Sequence, residues 1–185
     1  VLLQQAERAV HPMFEEVDRI AEYNQAKVLK AFADCRIQAG HFQCSSGYGY
    51  SDIGRDALEA LFAKTMGAQD ALVRPQIVSG THALAIGLQG LLKSGQALLY
   101  ATGKPYDTLE QVIGIEPASG SLQERGVGYY QVELNEEGGL DIPAILHMLE
   151  THPEIHVVGM QRSAGYAWRR ALTVEEIGKA AQAIH

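Results

Sequence analysis

Four residues in the middle of the chain, Ser79, Gly80, Thr81 and His82, have the types and spacing of an anion-binding turn. They follow an apolar pair, Ile77-Val78, that reads as a strand end. They precede Ala83, Leu84, Ala85, Ile86 and Leu88, a helix of small and apolar residues. A strand that turns through Ser-Gly-Thr into a helix exposes the unpaired N–H groups of the first helical turn. Those groups and the positive end of the helix dipole favour an anion, most often a phosphate. Thr81 adds a hydroxyl donor, and His82 adds a ring that can face whatever the phosphate carries. The same residues also describe an ordinary turn in which Ser79 or Thr81 caps the helix, and spacing alone leaves both readings open.

Three more stretches carry polar side chains where a ligand could use them. Residues 41–54, His-Phe-Gln-Cys-Ser-Ser-Gly-Tyr-Gly-Tyr-Ser-Asp-Ile-Gly, have no period and read as an ordered loop. Tyr48 and Tyr50 in that loop need partners for their hydroxyls. Arg55, on the first turn of the helix that follows, has the fork to hold an anion bidentately. Aromatic packing and a plain surface arginine are the alternatives. Thr102–Glu110 is a second strand-to-helix junction, bearing Tyr106 and Asp107. Gln161–Tyr166 is a third polar junction, bearing Arg162 and Ser163.

The elements that must position these residues follow from periodicity. Residues 1–34 repeat apolar positions at helical spacing, with Pro12 expected to divide them into a short helix and a longer one. The apolar face of this arm needs a surface to cover it, and a partner subunit could provide one. A helix over about 52–66 is capped by Asp52 and stopped by Gly67. Ala97–Ala101 reads as a buried parallel strand, and a helix then runs from near Pro105 to Gly114. Tyr129–Leu134 is a strand and Asn135–Gly139 a turn. Asp141 caps a helix to about Glu150. Ile155–Met160 is a strand, and Thr173 with Glu176 forms a capping box for a last helix. Alternating strands and helices argue for a doubly wound α/β sheet. Ligands bind at the carboxyl ends of parallel strands, so Tyr106 and the 79–81 turn are expected on one edge.

Composition narrows the function classes. The chain has 185 residues, enough for a domain with a real core, and is 46% apolar and 20% charged. Its net charge of −7 argues against nucleic acid or an anionic membrane as partner. Two cysteines, Cys35 and Cys44, make no disulfide framework, which suits a reducing cytoplasm. No signal peptide or membrane-length apolar run is recognisable. The histidines lack HExxH or other metal spacing, so no metal is expected. GxGxxG, P-loop and GxSxG patterns are absent.

The words Gly47–Asp56 (Gly-Tyr-Gly-Tyr-Ser-Asp-Ile-Gly-Arg-Asp), Leu72-Val-Arg74, Ile77–Ala83, Gly103–Glu110 and Gln161–Tyr166 occur in this order. Together they resemble the bacterial aluminium-resistance, or methionine gamma-lyase-like, family of pyridoxal-phosphate proteins. The resemblance runs from about residue 28 to the end. It implies the large domain of a fold-type I pyridoxal-phosphate enzyme, related to the cystathionine and methionine lyases of Cys/Met metabolism. Residues 1–50 would be a helical arm with a dimer and active-site loop, and residues 51–185 the first part of the cofactor-binding domain. A homodimer or dimer of dimers would complete each site.

By matching motifs, the resemblance gives the Ser79-Gly80-Thr81-His82 turn to pyridoxal 5'-phosphate, with Gly80 and Thr81 on the phosphate. It makes Tyr106 the aromatic that stacks on the pyridine ring. Tyr50 and Arg55 would reach the phosphate from a neighbouring subunit. Ser163 and Arg162 fall near the phenolic oxygen or the substrate carboxylate, and Tyr48 near the substrate. The implied activity is carbon–sulfur lysis of a sulfur amino acid. One departure matters: the family's cofactor lysine and the aspartate facing the pyridine nitrogen belong to later segments that do not occur here. Lys104 lies in the ring-stacking loop and is not expected to replace that lysine. The sequence therefore resembles the N-terminal half of the enzyme, with no catalytic residue of its own. The other reading is a catalytically inactive fragment, or a binding or structural module on the same fold.

Overall fold

The computed structural model describes residues 1–48, 50 and 52–185, and Gly49 and Ser51 of the Gly47–Asp56 motif lie outside them. The chain divides into two compact units, Val1–Ile77 and Val78–His185.

The first unit is helical. Helix α1 spans Leu2–Asp34 and α2 spans Ile53–Met66, with a 3-10 turn at Ala39–Phe42 between them. Pro12 does not divide α1 as the sequence suggests. Proline removes one backbone donor and crowds the carbonyl four residues earlier, yet 22 residues of helical pattern follow and carry the helix on. Asp34, near the end of α1, receives Lys30 at 2.8 Å and Lys64 of α2 at 2.9 Å. Both lysines lower the Asp34 pKa, Lys30 the more. Asp52 caps α2 by accepting the Arg55 N–H at 3.2 Å, and Gly67 closes it in the left-handed region at φ 67°. Little apolar surface is buried in this unit: Ala31, Leu61 and Ala63 are its buried apolar residues. Leu2, Leu3, Met13, Phe14, Val17 and Ile20 of α1 are exposed.

The second unit is built on a parallel sheet. Strands β1 (Ala97–Tyr100), β2 (Gly128–Gln131) and β3 (Ile155–Gly159) pair in the order β2-β1-β3. Leu98 and Leu99 on β1 have no exposed surface. The period-2 alternation of a strand sends neighbouring side chains to opposite faces. Leu98 and Tyr100 pack with Leu109 and Ile113 of α4 (Asp107–Ile113), with Leu122 and Val127, and with Leu88 of α3 (Gly80–Leu91). Leu99 and Ala101 pack with Ile145 of α5 (Ile142–Thr151) and Ala180 of α6 (Val174–Ile184). Helices therefore cover both faces of the sheet. Asp141 caps α5 through the Ala144 N–H, and Thr173 with Glu176 forms the expected capping box of α6.

Two strand expectations fail. Tyr129–Leu134 is strand only at its start, within Gly128–Gln131. Ile77-Val78 is not strand at all. An extended segment becomes a strand only by pairing, and no described strand lies beside it. The Val78 N–H goes instead to Nδ1 of His82 at 3.4 Å.

Candidate functional site

The site lies where β1 and β3 end. After β1, Thr102–Tyr106 leads into α4; after β3, Gln161–Ser163 turns away from the sheet. The N-terminus of α3 completes the group. Gly80, Thr81, Tyr106, Thr108, Arg162 and Ser163 are among the residues lining a cleft of ≈ 720 Å³, floored by Tyr100, Leu84, Leu109 and Met160. That volume is in the usual range for small-molecule sites, roughly 300–1,000 Å³.

Ser79 is the N-cap of α3, its Oγ accepting the His82 N–H at 3.1 Å. The Ser79 carbonyl accepts the Ala83 N–H at 3.0 Å. The N–H groups of Gly80 and Thr81 make no hydrogen bond among the described residues, as the geometry of a first turn dictates. Space beside Gly80 is open: a Cβ placed there meets nothing within 4 Å. The Thr81 hydroxyl lies 2.8 Å from that of Thr108, joining the starts of α3 and α4. The donor set of two backbone N–H groups, a hydroxyl pair and a helix dipole suits a phosphate.

Tyr106 stands opposite in the cleft. Its ring stacks with Tyr166, centroids 5.8 Å apart and planes 24° apart, and the two hydroxyls lie 3.3 Å from each other. The hydrogen bond to Tyr166 raises the Tyr106 phenol above the ordinary tyrosine value. Burial raises Tyr100. Arg162 donates from Nε to the Leu172 carbonyl at 3.0 Å, which holds the guanidinium at the cleft.

Of the sequence-predicted residues, the cleft gathers Gly80, Thr81, Tyr106, Arg162 and Ser163. Ser79 shapes the turn without lining the cleft. His82 also stays out of the lining, and its Nδ1 accepts the Val78 N–H at 3.4 Å. Tyr48, Tyr50 and Arg55 belong to the Val1–Ile77 unit. There Arg55 is held by its own loop, with Nε 3.3 Å from Asp52 and Nη2 donating to the Gly47 carbonyl at 3.0 Å. Tyr48 and Tyr50 are 83% and 85% exposed. Lys104 pairs at 2.8 Å with the buried carboxylate of Glu110, which raises the lysine's pKa. It lines a neighbouring cleft of ≈ 610 Å³ with Glu133, Trp168 and Arg169. Sequence reasoning missed Thr108, Tyr100, Gln161 and Tyr166. Gln161 and Tyr166 stood inside a motif already singled out, and the position of Gln161 at the end of a strand was the available signal.

The second unit is thus a parallel α/β sheet with helices on both faces and a cleft at its carboxyl edge, walled by a helix N-terminus, which is where open α/β sheets place their ligands. The sequence profile of the family described as methionine gamma-lyase matches residues 1–185, and the chain belongs to that family. It is 42% identical over 175 residues to the uncharacterised protein YnbB of Bacillus subtilis (strain 168), covering 94% of this chain and 41% of YnbB. A carbon-sulfur lyase involved in aluminium resistance from Clostridium novyi NT is 45% identical, with a TM-score of 0.93 over 98% of this chain and 43% of that one. A protein from Clostridium acetobutylicum, proposed as a cystathionine beta-lyase involved in aluminium resistance, is 42% identical with a TM-score of 0.94, over 98% and 44%. The chain thus spans less than half the length of each of these relatives.

Proposed function

We propose that residues 1–185 form the phosphate- and ring-holding part of a pyridoxal-phosphate-dependent carbon–sulfur lyase that acts on sulfur amino acids. The observation that carries this is the convergence of Gly80, Thr81 and Tyr106 with Arg162 and Ser163 on one cleft. The family and its lyase-named members support the chemistry. The wider doubly wound domain of fold type I is part of the same proposal.

When bound, pyridoxal phosphate supplies an electron sink for a carbanion at the α-carbon of an amino acid. The residues of this chain bind and orient. The Gly80 and Thr81 N–H groups and the dipole of α3 hold the phosphate, with the Thr81 hydroxyl kept in place by Thr108. Tyr106 offers its ring face to the pyridine. Ser163 donates near the phenolic oxygen, and Arg162 receives the substrate carboxylate. Tyr48, Tyr50 and Arg55 serve the site of a neighbouring subunit in a homodimer or dimer of dimers, in the cytoplasm.

The covalent step on lysine is not carried by these residues. Lys104 is tied to Glu110 and faces the other cleft. Pyridoxal 5'-phosphate titrated into the chain should bind reversibly, with its absorbance perturbed. Borohydride treatment followed by peptide mapping should leave all lysines unlabelled. A single labelled lysine, or no binding at all, overturns this reading.

A further inference from the structure

The residue with the widest reach around the cleft is one to which nothing above gives a role in binding. Gln161, the second residue after β3, makes four hydrogen bonds to four different places. Its backbone N–H donates to Thr102 Oγ1 at 3.1 Å, joining the ends of β3 and β1. Its side-chain Oε1 accepts the Tyr106 N–H at 3.1 Å and, at a longer 3.4 Å, the Tyr100 hydroxyl. Its Nε2 donates to the Ser163 carbonyl at 3.2 Å. The two loops that bring polar groups to the cleft, one bearing Tyr106 and the other Arg162 and Ser163, are thereby tied to each other through one amide.

The chemistry of that amide is specific. A primary carboxamide is the neutral side-chain group that offers an acceptor and a donor on one planar end. Glutamate would keep the acceptor and lose the donor, whereas leucine would lose both at similar length. Gly165 adds to the arrangement. Its φ of +59° lets the chain double back, and a Cβ there would lie 3.6 Å from the Tyr106 ring and 3.7 Å from Nε2 of Gln161. The backing of Tyr106 by Tyr166 thus depends on the same turn that Gln161 holds.

We infer that Gln161 is a positioning residue: through its side-chain amide it sets the Tyr106 ring and the Arg162–Ser163 turn at one fixed separation, the spacing a pyridoxal ring fills. The inference rests on the cofactor reading proposed above. An interaction made before the ligand arrives cuts the ordering cost of binding, so its loss is read as weaker affinity and not only as lower stability.

The test measures hydrogen exchange at the Tyr106 amide in the ligand-free chain and the dissociation constant for pyridoxal 5'-phosphate, on the wild type, Gln161→Leu and Gln161→Glu. Far-UV circular dichroism serves as the check on folding. Gln161→Leu should accelerate exchange at the Tyr106 amide at least tenfold and weaken pyridoxal phosphate about tenfold. Gln161→Glu should restore protection at the Tyr106 amide to within about threefold of wild type, because the acceptor remains. If Gln161→Leu folds and binds like wild type, this inference falls and the cofactor reading stands. If both variants expose the Tyr106 amide equally, the acceptor is not what holds Tyr106, and the inference falls as well. If the wild type itself fails to bind, the cofactor reading falls and takes the inference with it.

Discussion

The two units of this chain put their apolar residues to opposite uses. In Val78–His185, β1 is enclosed from both sides: Leu98, Leu99 and Ala101 have no exposed surface, and the helices that cover them come from the same unit. In Val1–Ile77, the 33-residue α1 has one buried residue, Ala31, while Leu2, Phe14, Val17 and Ile20 stay in solvent. Burial of apolar surface contributes roughly 25 cal/mol per Å², so the second unit draws its stability from itself. The first draws little from the contacts it makes. Candidate site residues sort the same way. Those on the sheet edge are held by several hydrogen bonds, whereas Tyr48 and Tyr50 sit exposed on a loop. The sheet edge of the second unit is formed in advance, whereas the exposed loop and the apolar face of α1 are the surfaces that the proposed neighbouring subunit would cover.

The largest expected effect tests that contrast directly. Leu99→Ala should destabilise the second unit by about 2–5 kcal/mol, the usual cost of removing a fully buried leucine. Leu29→Ala, on the exposed face of α1, should change stability by no more than about 0.5 kcal/mol. Urea unfolding followed by circular dichroism measures both. Similar costs at the two positions would show that α1 is covered in solution, and that the contrast belongs to the isolated chain alone.

A smaller effect separates the two groups of site residues. Tyr106→Leu keeps bulk but loses the aromatic face, worth about 0.5–1.5 kcal/mol in ring stacking. It should weaken pyridoxal phosphate roughly two- to tenfold at any chain concentration. Arg55→Ala should leave affinity unchanged in dilute chain and lower it only where sedimentation shows a dimer. An Arg55 effect in the monomer would place both groups at one site within one subunit and remove the need for a partner.

How much of this was legible in the sequence depends on what each residue needs. Caps were legible because their chemistry is local: Asp52, Asp141 and Thr173 each accept an N–H three residues on. Strand Ala97–Tyr100 was legible from its unbroken apolar run. Ile77-Val78 looked equally strand-like and is not strand, because pairing is not local and no described neighbour provides it. Pro12 was over-read, since one lost hydrogen bond does not end a long helix. In the cleft, Gly80, Thr81 and Tyr106 stood out by type. Gln161 did not, because three of its four partners, Tyr100, Thr102 and Tyr106, are distant in sequence and only the fold brings them to it. The His82 ring accepts the Val78 N–H through Nδ1, a bond that depends on a turn geometry the sequence does not display.

The smallest predicted effects lie on α6 and probe how much of the second unit's order is electrostatic. Thr173→Ala removes the acceptor of the Glu176 N–H, at 3.1 Å, and should cost about 1 kcal/mol. Glu176 reaches back to the Thr173 N–H at 2.7 Å and pairs with Arg170. Arg170 first, and then the Thr173 N–H, bring its carboxyl down to about 2. A folded-state pKa below the unfolded one contributes stability above the unfolded value, near 4.3. That contribution is lost as pH falls from there towards 2. Glu176→Gln should therefore be less stable than the wild type at pH 7 and converge on it as pH falls from about 4.5 to 2, which flattens the acid limb of the stability profile. Since the carboxylate is exposed, 0.5 M salt should shrink the difference between wild type and variant through screening. A pH profile that Glu176→Gln leaves unaltered would mean that the capping box is held by geometry alone, with the charge of Glu176 adding nothing to the unit that carries the cleft.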